Sequence, residues 1–182
     1  PSLEQRLAFY QRLEERLQTS GKIRAVTLAS NTPMGGGFSR QLSIDGRPLA
    51  AGEQTPTVTM LTIDSKYFET VGLSLIRGRN FTSDDGSAGQ ENAIINARFA
   101  QMHFANEDPI GRRITLTMDL AGGAPPTGGI PVSLTATIVG IAPNDHELAG
   151  KELIQPSSRD LQQLAELFLD DRRMVSVKHL TA

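Results

Sequence analysis

One segment, residues 67–116, constrains the fold most, because it alternates helix and strand signals with turn residues between them. Residues 93–95 form a compact apolar run, which predicts a buried strand. Asn96 follows directly and is suited to cap a helix in which Ala97, Ala100 and Phe104 recur at roughly helical spacing. The strand is therefore expected to lead straight into a helix.

A turn and a second strand complete this segment. Asp108 and Pro109 are predicted to end the helix, since proline disfavours helical geometry in the residue before it. Gly111 then permits the backbone to turn into residues 112–118, a second strand candidate. We interpret the whole segment as one β-α-β unit.

The chain before this segment carries further helix and strand signals. Residues 1–20 predict an amphipathic helix with Leu3, Leu7, Tyr10, Leu13 and Leu17 on one face. Residues 23–29, 41–44 and 57–63 predict strands. Asp64 or Ser65 is a suitable cap for a short helix that begins at Tyr67 and Phe68, and both rings are expected in the core.

The chain after this segment returns to a strand pattern. Residues 132–141 alternate regularly and, with residues 112–118, predict an antiparallel hairpin whose long tip is residues 119–131. Residues 157–168 predict a helix capped by Ser157, with apolar positions at Leu161, Leu164, Ala165 and Phe168. Residues 174–180 predict a final strand.

In their order and spacing, these pieces resemble the extracytoplasmic core domain of MacB-type ABC transporter permeases. The strings that carry the resemblance are YFETVGLSLIRGRNFTSDD (residues 67–85), ENAIINARFAQMHFANEDPIGRRITL (91–116) and ATIVGIAPN (136–144). It extends back through SGKIRAV (20–26), NTPMGGG (31–37) and IDGRP (44–48), and covers residues 1–143. After Pro143 the family's usual Tyr-x-Pro motif is missing from residues 144–158.

The resemblance implies a domain that does no chemistry of its own. In that family ATP is hydrolysed by a separate cytoplasmic domain or subunit, and the outer domain transmits the motion to substrate or to a periplasmic partner. The implied partners are the flanking transmembrane helices of the parent permease, the cytoplasmic ABC ATPase and a periplasmic adaptor protein. A second copy of the permease, forming a homodimer in the full transporter, is a further implied partner. The resemblance implies an inner-membrane protein with this domain in the periplasm or outside the cell. A start at Pro1 without methionine agrees with a piece of a longer protein.

Together these signals predict an α+β fold with mixed sheets built from β-α-β units. We interpret residues 1–182 as a single extracytoplasmic domain with two subdomains. Residues 1–40 with 150–182 are expected to form a porter-like, ferredoxin-like half, and residues 41–149 a second small α/β subdomain.

Composition narrows the classes of function. The chain has 18 basic and 20 acidic residues, and a net charge of −2 provides no basic field for nucleic acid or an anionic membrane surface. The absence of cysteine excludes thiol catalysis and zinc-thiolate sites. No run of 18 apolar residues occurs, so these residues do not encode a membrane-spanning helix.

Two loops are our candidate partner-contact surfaces, because exposed loops on rigid scaffolds are common sites of interaction. The residues singled out in them are Pro33, Met34, Gly35, Gly36, Gly37, Pro125 and Pro126. The three consecutive glycines do not indicate a phosphate-binding loop, since no Lys-Ser or Lys-Thr pair follows them.

The sequence assigns no catalytic, cofactor-binding or metal-binding residue. No two of the three histidines have the i, i+4 spacing of a helical metal site. Arg77 and Arg79 flank Gly78, and Asp84 and Asp85 follow, which predicts a local salt bridge; the run after Asp84 lacks the ligand spacing of a calcium loop.

Two other functions stay open at this point. A freestanding small-ligand binding module would have a pocket lined by Phe68, Phe81, Phe99 or Met102. A metal-dependent hydrolase would use Asp145 and His146 together with Asp84 or Asp85.

Overall fold

The computed structural model describes residues 3–19, 23–30, 38–82, 84–86, 89–118, 133–144, 153–156 and 175–179. The helices in these ranges are α1 (Leu3–Thr19), α2 (Tyr67–Val71) and α3 (Ala97–His103). The strands are β1 (Ile23–Leu28), β2 (Phe38–Ile44), β3 (Thr57–Met60), β4 (Arg77–Gly78), β5 (Asn92–Asn96), β6 (Arg113–Thr117), β7 (Ser133–Ala142), β8 (Leu153–Pro156) and β9 (Val175–His179).

Most of these strands form one curled sheet that closes on itself. Its seven described strands run in the order β4-β7-β5-β8-β3-β2-β6, and β6 also pairs with β7. The pairings among β2, β3, β5, β6, β7 and β8 therefore complete a ring, which we call the barrel. β4 lies beside the C-terminal half of β7, outside the ring. Most pairings are antiparallel, and the fold is α+β as predicted.

The barrel core is filled by inward-facing side chains. Leu42, Val58, Ile114, Leu116 and Ile138 are buried there and come from four different strands. Phe99 of α3 and the neighbouring Phe104 pack against them. A second cluster contains Tyr67 and Phe68 of α2, with Ile63, Phe81 and Ile94 among its other members. All five residues of β5 are buried, since the two clusters cover opposite faces of that strand.

The second sheet in the described part of the chain is formed by β1 and β9, which pair antiparallel. α1 contacts β1. The predicted first helix and final strand are confirmed over their described residues, Leu3–Thr19 and Val175–His179. The helix predicted at residues 157–168 lies outside the described residues. The division into residues 1–40 with 150–182 and 41–149 stays a prediction.

The predicted β-α-β unit is wrong in its pairing: the strand–helix–strand order is present, but β5 and β6 are not neighbours in the sheet. β5 leads into α3 and then β6, but the parallel partner of β5 is β7. β6 lies on the other side of β7 and pairs with it antiparallel, as the predicted hairpin requires. Because the hairpin forms, β7 occupies the place beside β5 that a simple β-α-β unit would give to β6.

Two predicted helix boundaries are wrong. α3 ends at His103 rather than at Asp108, because Phe104 leaves helical geometry (φ −136°, ψ 33°) while its ring is buried in the barrel core. The N-cap residue of α2 is Lys66, which makes no side-chain cap bond, rather than Asp64 or Ser65. The carboxylate of Asp64 has other partners, described below.

Candidate functional site: a surface groove and the joint between the sheets

An open groove of about 930 Å³ lies beside the turn that follows β2. Its walls come from that turn, from the end of α3 and from outward-facing residues of β6 and β7. Leu49 and Met102 are large apolar side chains that are 44% and 53% exposed. The remaining lining residues are Leu42, Ser43, Ile44, Asp45, Gly46, Arg47, Pro48, Glu53, Pro56, His103, Arg113, Thr115 and Thr135.

Arg47 fixes one wall of the groove to the end of α3. Its guanidinium donates a hydrogen bond to the carbonyl oxygen of His103 and pairs with Glu107 at 2.9 Å. The guanidinium carbon also lies 4.8 Å from the ring centre of Phe104, a cation–π contact. Arg112 reaches the same Glu107 carboxylate at 3.1 Å. Each exposed pair contributes little alone, but together they hold the turn against the helix.

The strand side of the groove presents hydroxyl groups. Ser43 of β2 lies opposite Thr115 of β6, and Thr115 lies opposite Thr135 of β7. The hydroxyl oxygens of Thr115 and Thr135 are 2.9 Å apart and hydrogen-bonded. The groove thus offers apolar contact at one edge and hydrogen bonding at the other, which suits noncovalent contact with a partner.

A buried carboxylate, Asp85, organises the loop after β4. The two terminal nitrogens of Arg79 donate to its two oxygens, and the amide of Thr82 and the side chain of Asn92 donate as well. Burial alone raises the pKa of Asp85, but the hydrogen bond from Arg79 and those from Thr82 and Asn92 outweigh it and lower the pKa to about 2. The predicted local salt bridge is confirmed for this pair; Arg77 pairs instead with Asp108.

A third feature joins β1 to the segment that follows β3. Ser30 donates through its amide to the carbonyl oxygen of Thr62 at 2.8 Å, and the amide of Thr62 donates to the Ser30 hydroxyl at 3.0 Å. Leu28 and Asp64 are linked twice, because the Leu28 amide donates to Asp64 Oδ2 at 2.9 Å and the Asp64 amide donates to the Leu28 carbonyl at 3.1 Å. The Thr27 hydroxyl donates to Asp64 Oδ1. We call these five residues the joint.

The structure separates the residues of the rival functions. Phe68 and Phe81 lie in one core cluster and Phe99 in the other, so they line no common pocket. Met102 is the one member of that set found in the groove. Asp85 is engaged by Arg79, while Asp145 and His146 lie outside the described residues.

The candidate contact loops, with Pro33 to Gly37, Pro125 and Pro126, also lie outside the described residues. No sequence pattern marked Arg47, Leu49 or the joint as functional. The IDGRP string marked a turn containing Arg47, which was the available signal for the groove. Asp64 was considered only as a helix cap, and its contact with a strand 36 residues earlier has no local signature.

The described residues contain no group of three or more His, Asp or Glu side chains suited to hold a metal ion. None of the helices in this part of the chain has both the length and the apolarity of a membrane span.

Three solved structures have a similar fold. The periplasmic region of MacB from Actinobacillus actinomycetemcomitans matches with a TM-score of 0.54 and 18% identity, over 91% of this chain and 62% of that chain. The extracellular domain of the noncanonic ABC-type transporter YknZ from Gram-positive bacteria matches with a TM-score of 0.56 and 18% identity, over 94% and 73%. A domain of a putative permease protein from Porphyromonas gingivalis matches with a TM-score of 0.54 and 14% identity, over 91% of this chain and 65% of that chain.

The chain therefore has the α+β fold of these three solved domains. The chain belongs to the family of MacB-like periplasmic core domains, whose sequence model matches residues 10–177. A domain of this family is the periplasmic domain of an ABC-type transporter permease. The chain spans 62% of the length of the MacB periplasmic region. No curated protein matches the chain significantly.

Proposed function

We propose that this domain does no chemistry and transmits ATP-driven motion from the membrane part of an ABC permease to a substrate or a periplasmic partner. The parent permease would be anchored in the inner membrane by helices that flank this domain, and a cytoplasmic ABC ATPase would supply the energy. A periplasmic adaptor protein and a second permease copy are the further partners that we propose.

One observation carries the proposal: two filled core clusters and the joint tie the described elements into a stiff body. Close-packed interiors transmit displacement because they deform little. The sheet that contains β1 and the barrel are linked by the joint, and α2 contacts both β1 and β9. A body of this kind can move as a unit about short connections.

The surfaces that meet the partner are the two candidate loops, around Pro33 to Gly37 and around Pro125 and Pro126, together with the groove. The groove supports this role because Leu49 and Met102 are exposed apolar side chains beside hydrogen-bonding groups. Apolar anchors surrounded by polar groups are the usual composition of protein–protein contact sites.

Motion can be measured without knowing the cargo. We would place a fluorophore at Leu49→Cys in the full permease, with cysteines elsewhere replaced, and record energy transfer to acceptors on lipid headgroups. We expect transfer to change when the ATPase binds ATP and to return after hydrolysis. Unchanged transfer from this site and from a second label at Arg16→Cys, in a complex that hydrolyses ATP, would overturn the proposal.

The candidate loops need a separate experiment. Deleting residues 122–129 from the full permease is expected to weaken capture of the periplasmic adaptor, while ATP-driven movement of the Leu49 label persists. Unaltered adaptor binding would remove this loop from the contact surface. The same capture measurement on Arg113→Ala tests the groove, because Arg113 is an exposed lining residue. Weaker capture of the adaptor is expected if the groove is part of the contact surface.

A further inference from the structure

Both ends of the described chain lead into the same small sheet. α1 runs directly before β1, and β9 is the last described strand and pairs with β1. If membrane helices flank the domain, as the proposed function requires, their motion enters through this sheet. The groove belongs to the barrel, so motion must cross from one sheet to the other before it reaches a partner there.

Among the described residues, the joint is a direct hydrogen-bonded crossing between the two sheets. Ala29 and Ile63 form an isolated antiparallel bridge at its centre, and the bonds between Leu28 and Asp64 and between Ser30 and Thr62 lie on either side. All of these residues except Asp64 are buried, with Thr27 at 1% exposed and Thr62 at 4%. The bonds between Ser30 and Thr62 are thus shielded from competing water, while the carboxylate of Asp64 is part-buried.

Asp64 has a special position in this crossing. Its carboxylate accepts from the Thr27 hydroxyl and the Leu28 amide in β1, and also from the amide of Lys66 at 2.9 Å. Lys66 is the N-cap residue of α2. One side chain therefore ties β1 to the start of the helix that holds Tyr67 and Phe68 in the second core cluster. Hydrogen bonds to a carboxylate are roughly twice as strong as neutral ones.

We infer that Asp64 is the positioning residue that couples the β1–β9 sheet to the barrel, so that movement of α1 is passed to the groove. This inference rests on the proposed function and names the path that the motion takes. Without the carboxylate, β1 keeps its pairing with β9, and Ala29 directly after it keeps its apolar packing on the segment after β3, but the strand loses the charge-assisted hydrogen bonds of Thr27 and Leu28 to that segment.

The variant Asp64→Asn tests the inference, with Asp108→Asn as the matched control. Both remove one negative charge, but Asp108 is exposed and bonds to Arg77 and to the Ile110 amide, away from the joint. Labels at Arg16→Cys and Leu49→Cys report the ATP-driven movement of α1 and of the groove separately. In Asp64→Asn we expect the Arg16 label to move normally and the Leu49 label to move at most about half as far, while the control moves both.

Hydrogen exchange provides a second readout in the same full complex. Loss of a charge-assisted bond is expected to speed exchange of the Leu28 amide by at least about tenfold. Exchange of the β5 amides should stay slow, which shows that the barrel is folded. Fast exchange in β5 would mean that the barrel of Asp64→Asn is not folded, and Thr27→Val would then be used in its place. Thr27→Val removes one donor to Asp64 and leaves the carboxylate in place.

A covalent bridge supplies the rescue experiment. Ala29 and Ile63 are antiparallel partners, whose Cα separation of about 4.5–5.5 Å falls within the range of disulfides. The chain has no cysteine of its own, so Ala29→Cys, Ile63→Cys and the label site Leu49→Cys are its only thiols; the Ala29–Ile63 pair is oxidised first, and the fluorophore is then attached at Leu49→Cys through a thioether that reduction does not cleave. Oxidation of this pair in the Asp64→Asn background is expected to restore movement of the Leu49 label, and reduction to remove it again.

The outcomes separate the two proposals. If neither label moves in the parent protein, the proposed function fails. If both labels move as far in Asp64→Asn as in the parent, or if oxidation does not restore movement of the Leu49 label, the coupling role of Asp64 is overturned while the proposed function stands.

Discussion

Asp85 accepts hydrogen bonds from both terminal nitrogens of Arg79, at 2.7 and 2.9 Å, although Asp85 is 3% exposed and the side chain of Arg79 is 48% exposed. The pair holds the loop after β4 against Asn92, the first residue of β5. The buried acid is thus matched by a cation that reaches it from the surface.

Replacing this acid should destabilise the domain. In Asp85→Asn the side-chain amide faces the guanidinium of Arg79 with a donor in place of an acceptor. We expect the free energy of unfolding to fall by about 2–3 kcal/mol, as is typical when hydrogen bonds to a charged group are lost. Denaturant unfolding measures it. Asp45→Asn is the control, because Asp45 is exposed, and a change there of more than about 0.5 kcal/mol would contradict this account.

The same acid sets a pH dependence. The pKa of Asp85 is about 2 in the folded protein, below its ordinary value of 3.8. A carboxyl with a lowered folded pKa stabilises the fold above its unfolded pKa, and the contribution is lost as the pH falls from about 4 towards 2. The stability difference between the parent and Asp85→Asn should therefore be constant above about pH 5 and shrink below pH 4. A stability difference that stays constant down to pH 2 would refute the lowered pKa of Asp85 as its cause.

Gly78 and Gly140 allow β4 and β7 to lie unusually close. A Cβ on Gly78 would lie 2.3 Å from the carbonyl oxygen of Val139 and 2.8 Å from the Cα of Gly140. We expect Gly78→Ala to cost at least about 2 kcal/mol more than Gly46→Ala, since overpacking adds to the shared backbone strain. Gly46 is the matched control, because its φ of +77° resembles the +83° of Gly78 and its Cβ would meet nothing within 4 Å. Equal thermal stability of the two variants would contradict the close approach.

The start of α3 offers a test of a single cap. The side-chain oxygen of Asn96 accepts from the amide of Phe99 at 2.9 Å. Asn96→Ala should lower the free energy of unfolding by about 1 kcal/mol, and Asn96→Ser, which keeps an acceptor, by less. Chemical unfolding of the two variants would show the order, and a smaller loss for Ala than for Ser would be inconsistent with capping.

The parts of the fold that the sequence predicted best have local signals. β5 and α3 follow from an apolar run and an adjacent cap, and the Asn96 bond confirms that interpretation. β6 and β7 follow from residue alternation, and their antiparallel pairing is as predicted.

The parts that the sequence did not predict depend on distant partners. β8 is four residues long and was not predicted as a strand, because its pairing requires the edges of β3 and β5, which come from elsewhere in the chain. The joint likewise forms only when Asp64 meets β1. The groove combines residues of β2, α3, β6 and β7, and no linear pattern marks it.

The central claim is that the domain passes on motion as one body, and a distance within one chain tests it most directly. Spin labels at Arg16→Cys, on α1, and Leu49→Cys, beside the groove, would be measured in the full permease with and without bound ATP. We expect the same distance distribution in both states, while the transfer signal to the lipid surface changes. A shift in that intramolecular distance on ATP binding would mean that the two sheets move independently, and it would contradict the account.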